Sequence, residues 1–341
     1  MSTGRRASRR ITLADVAKEA GVSVQTASHV LAGNLTVRLP ESTRKKVAEA
    51  AERVGYRPNR LAQAMKRGRT KMIAVWVPLE RPNLTYLWFL QAIDAKAKAS
   101  GYDILITGIE GTLAYGAQGK TPYVWPVDGL IAVDAGKAVR VFREDARNDS
   151  IPVAIFGLEL FDNTDSVSWD LMKAAREVTE RLIAKGCRRI VHVTLDWILN
   201  DYPREQRRRG YSEAMEAAGL TPEFVSVTGE SSSASEDAVT AYLKDHSVPD
   251  AVFGATDALA IGSTRAVMAK GGSVPQDCKV WGFGDLPEGK DFRVPLSTIR
   301  IPISAVVEQA WDWLIERVDA PETEGRRALL EMELVERESS R

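Results

Sequence analysis

The sequence predicts a small all-α head carrying a helix-turn-helix, joined to a larger α/β core of doubly wound parallel sheets. Three observations lead there. Residues 1–71 hold 16 Lys and Arg against 5 Asp and Glu, a balance of +11, and the other 270 residues carry −11, so the net charge of zero hides a cationic module on an acidic body. The basic segment is not a plain solvated tail, because apolar residues recur in it at helical spacing. From Met72 onward, short apolar runs alternate with amphipathic helical stretches, the pattern of parallel strands covered by helices.

The composition narrows the class. At 341 residues, 44% hydrophobic and 27% charged, the chain has the make-up of a globular protein of two or three domains. Cys187 and Cys278 lie far apart in sequence and away from any His-rich tract, which excludes a disulfide framework and a CxxC-type zinc site. The longest apolar run, Met72–Leu79, is too short to span a bilayer. The opening MSTGRRASRR is basic, but no apolar stretch follows it, so it does not read as a secretory signal. The expected location is the cytoplasm, with no membrane partner. His29, His192 and His246 lack metal spacing, and Gly282-x-Gly284 lacks the third glycine of a dinucleotide loop. No P-loop, acid/base pair or nucleophile arrangement is recognisable, so no metal, no cofactor and no enzymatic activity are expected.

Taken in order, residues 1–10 form a basic arm, expected to be disordered and to add non-specific affinity for polyanions. Thr12 and Asp15 make a capping box, and Leu13, Val16, Ala17 and Ala20 an apolar stripe; Gly21 ends this first helix by accepting the left-handed conformation. Ser23 caps a second helix, Val24 to about Ala32, with Ala27, Val30 and Leu31 inward. Two short helices about a tight turn make a helix-turn-helix. A third helix, Glu41–Val54, closes the core through Val47, Ala48, Ala51 and Val54 and stops at Gly55, so the head spans 11–57. Pro58 and Asn59 start a further helical segment that runs to Met65, and 58–71 serve as hinge and linker before the core, 72–341. Strand-like runs there are Met72–Val77, Asp103–Thr107, Gly129–Val133, Pro152–Phe156, Arg189–Thr194, Phe224–Val227, Ala251–Ala255 and Lys279–Phe283. Helical patterns include Leu84–Ser100, Leu171–Lys185, Arg204–Ala218, Asp257–Lys270 and Ile303–Val318. The strands are too many for one compact sheet, which favours two lobes. The aromatic cluster Trp76, Tyr86, Trp88 and Phe89 reads as core or subunit interface ahead of cleft lining.

The residues Thr12, Leu13, Asp15, Val16, Ala17, Ala20, Gly21, Val22, Ser23, Thr26, Ser28, Val30 and Leu31, then Thr43, Arg44 and Val47, then Gly55, Tyr56, Pro58, Asn59 and Ala62 follow one another as in the head of the lactose-repressor (LacI/GalR) family, which this chain resembles. The resemblance implies a transcriptional regulator, expected to be a repressor, that binds a pseudo-palindromic double-stranded DNA operator as a homodimer. The start of the second helix would face the major groove, where Gln25 can bridge adenine N6 and N7 and Val24 can touch a thymine methyl. His29 stands where the family often has Arg and lacks the bidentate reach to guanine. Thr12, Ser23, Thr26, Ser28, Tyr56, Asn59 and Arg60 are expected to contact phosphate or position the module. Pro58–Lys66 resembles the hinge helix that folds on the operator and drives an apolar side chain into the minor groove, here Ala62 and Met65, with Met65 where the family has Leu.

In the core, Val127–Ile131, Arg207–Tyr211, Pro249–Phe253, Asp257–Gly262, Val274–Asp277 and Pro295–Ile299 resemble the family's effector-binding part, which is similar to periplasmic binding proteins. The lobes would be about 72–168 with 302–320, and 169–301 with 326–337. The resemblance implies a small-molecule effector held by Arg207 and Asp257, with Asp285 as a further candidate; the alternative is that Arg207 and Asp257 pair with each other or cap helices. A guanidinium fork and a carboxylate suit hydroxyl-rich or carboxylated ligands. Three departures stand out: Gly157 replaces the family's second ligand Asp, Gly284 replaces an Asp, and Ser231 lies in the stretch where an aromatic ring often stacks on the sugar. The cleft is therefore expected not to bind an ordinary hexose as its relatives do. A plain solute-binding protein and an α/β sugar-processing enzyme are the competing readings, opposed by the cationic head and by the missing catalytic motifs.

Overall fold

The computed structural model describes residues 11–31, 38–56, 69–79, 84–109, 126–158, 160–201, 205–321 and 324–341. The chain divides into two compact units, a head of residues 1–71 with 126–128, and a core made of the rest.

In the head, α1 (Leu13–Ala20) begins at Thr12, whose hydroxyl accepts from the Asp15 amide while the Asp15 carboxylate accepts from the Thr12 amide at 2.8 Å. This reciprocal box pairs two amides that a helix start leaves open. Gly21 closes α1 at a left-handed φ of 62°. α2 (Val24–Leu31) opens under Ser23, whose hydroxyl accepts from the Thr26 amide at 3.0 Å. α3 (Glu41–Val54) completes the core, in which Val16, Ala17, Ala20, Ala27, Val47, Ala50 and Ala51 are buried. Ala48, expected inward, is exposed, and Ala50 takes its place. The buried face of α3 is Val47, Ala50, Ala51 and Val54, the i, i+3, i+4, i+7 set that one side of a helix presents.

The core runs β1 (Met72–Val77), α4 (Leu84–Ala99), β2 (Asp103–Gly108), β3 (Gly129–Val133), α5 (Gly136–Arg143), β4 (Val153–Gly157), β5 (Asp165–Trp169), α6 (Leu171–Ala184), β6 (Ile190–Leu195), α7 (Asp196–Asp201), α8 (Gln206–Ala217), β7 (Glu223–Val227), α9 (Ser232–Asp245), β8 (Ala251–Gly254), α10 (Asp257–Ala269), β9 (Lys279–Phe283), α11 (Pro287–Lys290), β10 (Ser297–Arg300), α12 (Ile303–Asp319), β11 (Arg327–Leu330) and β12 (Glu333–Val335). Two six-stranded sheets form, in the orders β11-β5-β4-β3-β1-β2 and β12-β10-β9-β8-β6-β7. Apart from β12, which pairs antiparallel with β10, the ladders are parallel. Each sheet is doubly wound about a reversal, beside β1 in one and β6 in the other, although the sequence carries no internal repeat. Strands β3, β4 and β6 are buried along their whole length, as parallel strands covered on both faces must be.

The strand pairing corrects the assignment of the tail. The segment 326–337, assigned whole to the second lobe, is divided: β11 extends the first sheet beside β5, and β12 the second beside β10. Strand β5 carries no apolar run to mark it in the sequence, since DSVSW is largely polar; Asp165 is fully buried there, held by Arg317 at 2.8 Å and Arg326 at 3.1 Å. The glycines of two of the motifs also find their reason. A Cβ at Gly210 of α8 would lie 2.3 Å from the Met172 carbonyl of α6, and one at Gly262 of α10 would lie 2.1 Å from the Ser232 carbonyl of α9. Each glycine lets two helices touch backbone to backbone.

Candidate functional site

The start of α2 is exposed. Val24, at the first position of α2, is 48% exposed, and Gln25 beside it is exposed too, while Ala27 on the other side of the helix is buried. The cap at Ser23 fixes where α2 starts and so where these two side chains stand. Ser28 and His29 are half-buried one turn on. Thr12 and Ser23 act as caps, and the Thr26 hydroxyl lies 2.9 Å from that of Ser23. Tyr56 packs against the head's core. Asn59, Arg60, Ala62 and Met65 lie outside the described residues, as does the arm 1–10.

The core holds a cavity of about 200 Å³ at the C-terminal ends of the strands of both sheets. Asp134 follows β3, Leu158 follows β4, Trp169 ends β5, Leu195 ends β6, Ala255 and Thr256 follow β8, and Phe283 and Gly284 come at the end of β9. Doubly wound sheets open such a crevice, because loops on either side of the reversal leave toward opposite faces.

Arg207, in the first turn of α8, lines this cavity and is 8% exposed. Its Nε donates to Glu205 at 2.6 Å, its Nη1 to the Ala255 carbonyl at 2.5 Å, and its guanidinium lies 5.0 Å from the centre of the Phe283 ring. Burial pushes the Glu205 carboxyl up, but the charge of Arg207 and the Arg208 amide outweigh it and hold the group below its usual range. Asp257 is 1% exposed and opens α10, accepting from the Thr298 hydroxyl and the Leu286 amide, both at 2.6 Å. Burial raises its pKa to about 6 against those two hydrogen bonds. Thr256 and Ala258, on either side of it, line the cavity; Asp257 stands behind the wall. Asp285 is also away from the lining, ion-paired with Arg300 and Arg337 at 2.6 Å each. Burial works against its charged form, and the two guanidinium groups overcome it and keep its pKa low. Of the three expected effector residues, the structure thus brings Arg207 to the cavity surface. Arg207 and Asp257 each have other partners.

The departures have structural counterparts. A Cβ at Gly157 would stand 2.1 Å from Oδ1 of Asp134, so the carboxylate of Asp134 fills the volume that a side chain at 157 would take. Sequence reasoning passed over Asp134, whose one signal was an acidic residue directly after a wholly buried strand. Ser231 caps α9, accepting from the Ala234 amide at 3.1 Å, and Glu230 next to it lines the cavity. The aromatic cluster divides: Tyr86 and Phe89 line the cavity, with Phe89 stacked 5.7 Å from Trp169, while Trp76 packs in the core against Phe142. Trp197 of α7 adds a further aromatic wall.

His192 lies fully buried within β6, its Nδ1 2.8 Å from the Phe253 carbonyl and its Nε2 without a partner among the described residues. Burial lowers its pKa to about 4 from the ordinary 6.5. The unfolded chain therefore binds a proton that the folded chain refuses, and stability is lost as pH falls from 6.5 toward 4. Replacing His192 with Gln is expected to reduce the drop in Tm between neutral pH and about pH 5. An unchanged drop would remove His192 as the cause. Asp257 titrates in the opposite sense and is present in both proteins.

Comparison with known proteins places both units. Residues 12–59 match the model "Bacterial regulatory proteins, lacI family", and residues 179–340 match "Periplasmic binding protein-like domain". The ribose operon repressor of Escherichia coli K12 is 30% identical over 335 residues, covering 96% of this chain and 99% of the relative. Catabolite control protein A of Priestia megaterium is 30% identical over 314 residues, covering 89% of each. Among solved structures, the lac repressor dimer bound to operator and the anti-inducer ONPF superposes with a TM-score of 0.79 at 24% identity, covering 97% of this chain and 99% of that one. No helix among the described residues is long and apolar enough to cross a membrane.

Proposed function

Because this chain belongs to the LacI family of bacterial regulatory proteins, we propose that it represses transcription by seating the α2 helices of a homodimer in the two halves of a pseudo-palindromic operator, under the control of a small molecule in the core cavity. The observation that carries the reading is the capped α2, whose first two residues, Val24 and Gln25, face solvent while its far side is buried. Side chains at a recognition helix's start are those that reach base edges. Lys45 and Lys46 of α3 are exposed and supply charge for the phosphates without reading sequence. Ala62 and Met65 form the minor-groove wedge, and Arg207 touches the effector. The protein acts in the cytoplasm and is a regulator, not an enzyme. Effector and operator are linked reciprocally, by a coupling of about 1–3 kcal/mol in either direction.

Selection from a random DNA library tests this, with a truncation lacking residues 1–71 as control. Recovery of a palindrome by the full chain alone is the expected result; enrichment by both proteins or by neither counts against it. On the recovered site, Gln25→Ala is expected to relax preference at one base pair per half-site by about 1–3 kcal/mol, whereas Lys45→Ala weakens all sequences alike. Equal loss on every sequence for Gln25→Ala would take it out of the base-reading set.

A further inference from the structure

The carboxylate of Asp128, the residue before β3, accepts three hydrogen bonds from the last residues before β1. Oδ1 accepts from the Thr70 amide at 2.6 Å and from the Thr70 hydroxyl at 2.8 Å, and Oδ2 accepts from the Lys71 amide at 3.0 Å. Hydrogen bonds to an ionised acceptor are shorter and stronger than those between neutral groups. Lys71 stands there at a φ of 55°, a conformation that side-chain-bearing residues seldom adopt and that persists where the surroundings enforce it. The three residues belong to one compact unit, in which 126–128 group with 1–71. Asp128 is the charged member of the Val127–Ile131 motif, and it does not line the cavity.

This clamp bears on how the linker leaves the core. The chain carries it into β1 through Met72, and Asp128 ties it to the start of β3, which pairs with β1 in parallel from Ile73 opposite Gly129. A segment that a single covalent bond joins to a sheet can swing about that bond; tying it to a second strand removes much of that freedom. Strand β3 is buried at all five positions, and the residue after it, Asp134, lines the cavity. A displacement of β3 therefore moves the cavity wall at one end and the last linker residues at the other. Resting on the reading of the chain as an operator-binding dimer, we propose that Asp128 is a positioning residue for DNA binding. It sets the course of the linker at Thr70 and Lys71, and through the linker the spacing of half-sites that the dimer accepts. It acts through the linker, not by contact with DNA.

The test measures the full-length protein on its selected operator and on the same operator with one base pair added between the half-sites. The unmutated protein is expected to lose at least about tenfold in affinity on the longer site, and Asp128→Ala less than about threefold. On the selected operator Asp128→Ala is expected to bind about tenfold more weakly, because the regained freedom of the linker must be given up on binding. A substitution that merely destabilised the fold would weaken both DNAs in the same proportion. The ratio of the two affinities is taken on one protein, so the charge lost at 128 cancels from it. Asp128→Asn keeps the shape and one carbonyl acceptor, and its ratio is expected to fall between the other two. Hydrogen exchange needs neither a variant nor DNA: the Thr70 and Lys71 amides of the unmutated protein are expected to exchange at least about tenfold more slowly than in an unstructured peptide. Exchange at the peptide rate, an unmutated dimer that accepts both spacings alike, or an Asp128→Ala protein that keeps the full spacing preference would each overturn the proposal. An unmutated protein that selects no palindrome overturns the reading of the function and the proposal with it. A palindrome whose spacing the variant still discriminates overturns the proposal alone.

Discussion

Operator binding is expected to weaken by about a thousandfold or more when salt is raised from about 50 to about 200 mM. Each phosphate that a Lys or Arg neutralises releases condensed counterions, and the cost of returning them rises with salt in proportion to the number of contacts. The first 71 residues carry a balance of +11, and a dimer presents two such heads. Lys18, Lys45 and Lys46 are exposed on the head, whereas Arg53 is tied to Glu19 at 3.2 Å and contributes less. About six to ten contacts in the dimer suffice for the expected loss. A titration of labelled operator at several salt concentrations measures the slope. A loss below tenfold over that range would mean that the positive charge of the head is not spent on phosphate.

Glu205→Ala is expected to destabilise the protein by about 3–5 kcal/mol, read as a lowered denaturation midpoint with an unchanged slope. Glu205 is 1% exposed and its ion pair with Arg207 spans 2.6 Å, so the substitution removes a buried carboxylate from beside a largely buried guanidinium. It also removes the acceptor for the Arg208 amide, at 2.8 Å, which caps the start of α8. The penalty arises from the buried charge whose carboxylate has been removed rather than from the pair as such. Glu205→Ala with Arg207→Met should therefore recover most of the loss, because removing both partners leaves no buried ion. A single variant costing under about 1 kcal/mol would show that water reaches Arg207 readily.

The head was legible because its signals are local. Thr12 with Asp15, Gly21, Ser23 and Gly55 lie within a few residues of the ends they define. Ala48 differs by helix phase: it lies off the face that Val47, Ala50, Ala51 and Val54 share. The core was legible as alternation, and its gaps have long-range causes. β5 hides behind an Asp whose partner, Arg317, lies 152 positions on. The tail strands are too short to declare which sheet they join. In the cavity, Arg207 could be found from its motif, but its partner proved to be Glu205, two positions before it, where Asp257 had been the candidate. Asp134 became visible once β3 and β4 were seen side by side, since the consequence of a glycine at 157 falls on the neighbouring strand.

The sharing of the last two strands between the sheets bears on how the chain is made. During synthesis, β1 to β5 emerge long before β11, which closes one edge of their sheet, and β6 to β10 likewise precede β12. Until those closing residues have left the ribosome, β5 and β10 remain open edges able to pair with another strand. The head, by contrast, is complete by residue 56 and can fold while the rest is still being translated. A nascent chain is thus expected to gain its DNA-binding part well before either lobe is finished, and its period of greatest exposure to misassembly ends when β11 and β12 have joined their sheets.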